Sequence, residues 1–81
     1  MSSYVIVRYE GSYFPGLVTK VKKKTTTVSC LVKSGLGHWK WPDTRDVFDY
    51  SPENIVEVIK TPKIINSRGL MVVPEADKYW K

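Results

Sequence analysis

Tyr4–Val21, read as YVIVRYEGSYFPGLVTKV, is the stretch that decides the fold class. Tyr4-Val5-Ile6-Val7-Arg8-Tyr9 is a run of β-branched and aromatic residues, the composition of a strand. Glu10-Gly11-Ser12 is the turn that ends it. Leu17 to Lys22 forms a second strand, with Leu17 and Val21 on one face. Between the two stands Tyr13-Phe14-Pro15-Gly16, an aromatic-proline-glycine element that leads into the second strand.

The same pattern continues outward. Lys23, Lys24 and Thr25 make a polar hairpin tip, and residues 26–32 a third strand. In that strand Val28, Cys30 and Val32 lie on one side and Thr27, Ser29 and Leu31 on the other. Residues 33–37 hold two glycines and read as a turn. His38-Trp39-Lys40-Trp41 is a short fourth strand closed by Pro42, which cannot donate to a ladder. Asp43 to Tyr50 reads as a polar loop with apolar anchors. Ser51-Pro52-Glu53-Asn54 has the form of one helical turn with proline at its first position, and Ile55–Ile59 is a fifth strand. No segment sustains a helical apolar period over ten positions. The expected architecture is all-β: a small five-stranded SH3-like barrel over residues 1–61, with residues 62–81 as an extended arm packed on it. The arm turns at Ser67-Arg68-Gly69, and Pro74 to Lys81 carries a helical turn and two late aromatics, Tyr79 and Trp80.

Size and composition agree with one small domain. The chain has 81 residues, and a domain of this length buries only about 60–65% of its unfolded surface. Large side chains must therefore supply the core, and three tryptophans, five tyrosines and two phenylalanines are available. The single cysteine leaves no internal disulfide, which suits a reducing compartment, nuclear or cytoplasmic. No apolar run is long enough to span a bilayer, and Met1-Ser2-Ser3 is not followed by a signal-peptide core. Net charge is +5, distributed unevenly: Lys20, Lys22, Lys23 and Lys24 cluster early, while residues 43–57 hold five carboxylates opposed only by Arg45.

Enzyme chemistry has little to work with. His38 is the only histidine, and no motif sets a nucleophile or carboxylate against it. One cysteine and one histidine are too few for a zinc site, and no glycine-rich phosphate loop is present. No catalytic residue, metal or cofactor is expected. The chain reads as a binding module and a monomer.

Tyr4 to Val21, with Tyr13-Phe14-Pro15-Gly16 at its centre, resembles the opening of the Tudor, PWWP and chromo-barrel domains. Those domains also have five strands with a short turn before the fifth, so the resemblance spans about residues 4–60. It implies a Tudor-like reader of methylated lysine or arginine in a protein tail, a methylated histone for example, in chromatin. It further implies a cage of aromatic rings around the methylated cation, held by cation–π attraction. Phe14 stands at the family's cage position, and Tyr9, before the first turn, is a second candidate. Trp39 and Trp41, two apart in one strand, share a face, and Phe48 and Tyr50 complete the enclosure from the loop. Asp43, Asp46 or Asp49 then supplies a carboxylate beside the rings. Tyr13 and Phe14 point to opposite faces, so one is buried and the other free to bind. At least one of Trp39 and Trp41 belongs to the core, since so small a fold needs large residues inside.

Two other functions fit the residues. Lys20, Lys22, Lys23, Lys24 and Lys40 suit phosphate contacts in DNA or RNA binding, with an exposed aromatic stacking on a base. The arm from Lys63 to Val73 suits strand addition to another protein in an assembly module.

Overall fold

The first strand explains the architecture, because both of its faces are buried. In β1 (Tyr4–Tyr9) Val5, Val7 and Tyr9 project to one side, and Tyr4 and Ile6 to the other. Val5 and Val7 pack with Val28, Cys30 and Tyr50 in one apolar cluster. Ile6 packs in a second cluster with Leu31, Trp39, Ile59, Met71, Val73 and Ala76. A strand apolar on both faces requires a layer on each side, and the rest of the chain provides them.

The computed structural model describes residues 3–79 apart from Leu36, Arg45, Asn66 and Arg68. The strands after β1 are β2 (Ser12–Val21), β3 (Thr26–Cys30), β4 (Val32–Lys33), β5 (Trp39–Lys40), β6 (Val47–Tyr50), β7 (Ile55–Ile59), β8 (Lys63–Ile64) and β9 (Met71–Val72). A 3₁₀ turn, Pro52–Asn54, precedes β7, and one short helix, α1 (Pro74–Asp77), follows β9. One antiparallel sheet has the order β6-β3-β2-β1-β7 and a second the order β4-β5-β9-β8. Among the described residues no helix is long and apolar enough to cross a membrane.

The all-β expectation therefore holds, while the single five-stranded barrel is replaced, among the described residues, by nine strands in two sheets. The larger sheet is not closed on itself, since β6 and β7 stand at its two edges. The second sheet arises where the third strand breaks. After Cys30 the chain leaves the first sheet, and the Leu31 N–H donates to the Pro15 carbonyl at 2.9 Å. Val32 and Lys33 then pair with Lys40 and Trp39.

Two element bounds also differ from expectation. β2 begins at Ser12 and runs through Pro15, which pairs with Ile6. A strand residue's N and C=O face the same side, and the Pro15 carbonyl faces Leu31. Its ring nitrogen therefore faces away from β1, and the β1–β2 ladder loses no donor. Residues 47–50, expected in a loop, form edge strand β6, pairing Val47, Phe48, Asp49 and Tyr50 with Ser29, Val28, Thr27 and Thr26.

The chain beyond Pro62, expected as an arm that turns at residues 67–69, pairs back on itself and on β5. β8 pairs with β9, and Met71 of β9 pairs with Trp39 of β5. The Lys60 N–H donates to Glu75 Oε2 at 3.0 Å, and both Lys78 Nζ and the Tyr79 hydroxyl donate to Glu57 Oε2 at 2.9 Å. Tyr79 stacks on Tyr13 with centroids 4.4 Å apart. The expectations for Trp80 and for Arg68 in the turn fall outside the described residues.

Gly16 marks a close approach of β2 and β3, where it pairs with Cys30. A Cβ there would lie 2.5 Å from Val28 Cγ1 and 2.9 Å from the Ser29 carbonyl oxygen. The oxygen belongs to the ladder and cannot yield cheaply. Gly16→Ala is thus expected to lose about 1–3 kcal/mol of stability through overpacking, read from urea unfolding. An unchanged midpoint would refute this packing.

Candidate functional site

On the Val5 and Val7 face of the larger sheet, three strands bring four aromatic rings to one notch of about 140 Å³. Tyr9 comes from the end of β1 and Phe14 from β2. Phe48 and Tyr50 are two apart on β6 and so share a face. Register explains the convergence: Phe14 pairs with Val7, and Phe48 with Val28, whose side chains lie in the cluster beneath the notch. Because β6 is an edge strand, its Phe48 ring extends past the covered part of the sheet. Phe48 stays 51% exposed and Tyr9 43%, whereas Tyr50 is buried and Phe14 half-buried.

The Tyr9 and Phe48 rings stack with centroids 5.9 Å apart and planes 21° from parallel, forming one wall. Asp46, just before β6, places a carboxylate on the lining. Its backbone is held there by the Cys30 N–H, which donates to the Asp46 carbonyl at 2.9 Å. Leu31 and Val32 add apolar surface.

Cys30 and Tyr50 make the floor, with Sγ and Oη hydrogen-bonded at 3.3 Å. Burial pushes the Cys30 thiol above its usual range, which outweighs the hydrogen bond to Tyr50. Burial likewise pushes the Tyr50 phenol far upward, and the bond to Cys30 adds to the shift. Raised pKa values keep both groups protonated at neutral pH, so the floor is uncharged and Cys30 is not a thiolate. The notch combines electron-rich rings, a neutral floor and one carboxylate. That is a surface for a cation with weakly hydrated apolar groups around it.

The remaining candidates lie elsewhere. Trp39 is 1% exposed and meets Phe14 edge-on, centroids 6.4 Å apart, so it supports the notch from within the core. The expectation that Trp39 and Trp41 share a strand face is corrected, because β5 ends at Lys40. Trp41 lines a separate groove with Leu17, Ser29 and Pro42. Tyr13 takes the opposite side of β2 from Phe14 and stacks on Tyr79. Asp43 is exposed outside the notch. Asp49 accepts hydrogen bonds from Thr27 Oγ1 and from Lys22 Nζ, and these in that order hold its carboxyl below the usual range. Lys20, Lys23, Lys24 and Lys40 are exposed.

Comparisons with protein-family models, with curated proteins and with solved structures found no match. Among the described residues no group of three or more His, Cys, Asp and Glu side chains is placed to hold a metal ion. Sequence reasoning did not single out Cys30, Leu31 and Val32 as lining, although the alternation of β3 already turned Cys30 inward beside Val28.

Proposed function

We propose that this protein is a Tudor-like binding module that reads a methylated lysine or arginine in a protein tail. The observation that carries the reading is the convergence of Tyr9, Phe14, Phe48 and Tyr50 with Asp46 on one open notch. A methylated ammonium or guanidinium is poorly hydrated and favours electron-rich ring faces, each good contact contributing about 0.5–2 kcal/mol. The Tudor-like part draws support from the five strands of the larger sheet and the 3₁₀ turn before the last of them. Further support is the aromatic-proline-glycine element on β2, which places Phe14 at the notch. A chromatin-associated protein tail in the nucleus is the partner this reading favours.

The test is an NMR titration of isotope-labelled protein with lysine and arginine peptides of each methylation state. Methylated peptides are expected to shift the ring signals of Tyr9 and Phe48 and the backbone amides of residues 46–50. The unmodified peptides should not. The Trp41 indole signal serves as the control, since that ring lines a separate groove. No shift at millimolar peptide would end the reader hypothesis.

A further inference from the structure

The face of the larger sheet opposite the notch is only half covered. Over β1 it meets the C-terminal segment through Tyr4, Ile6 and Tyr13. Further along, Leu17 pairs with Ser29, and Ser29 with Val47, so these three share that face. Trp41 and Pro42 close over Leu17 and Ser29 to leave a groove of about 190 Å³, with Trp41 40% exposed.

Lysines continue from this groove. The β2–β3 register shifts between Val18 and Lys20, so that Lys20 pairs with Thr27, the residue two before Ser29. The shift turns Lys20 onto the face of Leu17 and Ser29. Lys22 lies two further on and pairs with Asp49 at 2.9 Å. Lys23 and Lys24 stand exposed at the hairpin tip, and exposed Lys40 immediately precedes Trp41. An aromatic ring in a shallow apolar groove is thus flanked by cations, in a chain of net charge +5.

We propose that this face docks a single-stranded nucleic acid, one base stacking on Trp41 over Leu17 and Pro42. Phosphates to either side meet Lys40 and the Lys20–Lys24 ridge. A duplex hides its base faces, so an exposed ring selects an unpaired base. Asp49 also lies on this face and is held by Lys22, and the exposed lysines around it give the charge complementarity that favours a polyanion over a peptide here. The site uses no residue of the aromatic notch and stands whether or not that notch reads a methylated tail.

The test is fluorescence anisotropy of a labelled thymidine oligonucleotide of about 12 nucleotides, titrated with the full chain at several salt concentrations. Binding is expected at low salt, weakening as salt rises, with a slope of about −0.7 per phosphate neutralised. Trp41→Ala should weaken binding about tenfold with the slope unchanged, and Trp41→Phe should recover most of the loss. Lys20→Gln, Lys23→Gln and Lys24→Gln combined should flatten the slope by about 2. Circular dichroism verifies that each variant is folded. Absence of binding at low salt would overturn the proposal. So would equal affinity for a duplex or for heparin, or a folded Trp41→Ala protein that binds as the parent does.

Discussion

Trp39→Ala is expected to destabilise the protein severely, lowering its thermal midpoint far more than a surface substitution does. The indole is 1% exposed and packs in one cluster with Ile6 of the larger sheet, Leu31, Met71 of the second sheet, Val73 and Ala76. Truncating a buried tryptophan costs about 3–5 kcal/mol in lost transfer energy and residual cavity. A chain of this length has only about 4–12 kcal/mol of total stability. At about 4–8 °C per kcal/mol, the midpoint should fall by about 15 °C or more in thermal unfolding followed by far-UV circular dichroism. Trp41→Ala, two residues away and 40% exposed, is the matched control and should move the midpoint by only a few degrees. A fall in Trp39→Ala no larger than that control would mean the two sheets are not joined through this ring. The same substitution removes the edge contact to Phe14, so notch and core should loosen together.

What the chain disclosed in advance depended on how local each feature is. β1 and β7 were legible because five or six consecutive residues carry the strand signal and turn residues bound them. The turn at Pro52–Asn54 was legible for the same reason, from Ser51 and Pro52. β6 was not, because the polar run from Asp43 to Asp46 precedes it and only four residues alternate. β5, expected over residues 38–41, is present as Trp39–Lys40, but β8 and β9 have two residues each, too few for any period to register, and they are strands only through their partners. Hence the joining of Trp39 to Met71 could not be read from either segment alone.

The notch divides in the same way. Tyr9, Phe14, Phe48, Tyr50 and Asp46 were all recognisable as candidate residues, but so were Tyr13, Trp39, Trp41 and Asp43. Choosing among them requires the register of three strands. Phe14 and Tyr13 are neighbours with opposite fates, one lining the notch and the other stacked on Tyr79. That split follows from the two-residue period of β2, and only its sign needed the fold.

The second large effect is expected at the rim of the notch. Tyr9→Ala and Phe48→Ala combined should clearly weaken binding of a trimethyl-lysine peptide while leaving the fold intact. These are the right rings to remove because they are 43% and 51% exposed, so their loss opens no sealed cavity. Phe14 and Tyr50 would confound the test, since both pack on the Val5 and Val7 cluster. Two cation–π contacts contribute about 1–4 kcal/mol together, and at about 1.4 kcal/mol per decade the affinity should drop from about fivefold to several-hundredfold. Calorimetry with methylated and unmodified peptides reads this directly. Asp46→Asn separates the carboxylate from the rings: affinity should fall less, and its salt dependence should weaken because one ionic attraction has gone. A folded double variant that still binds as the parent does would move the ligand away from the stacked wall. The rings of the notch would then be only the exposed side of the core.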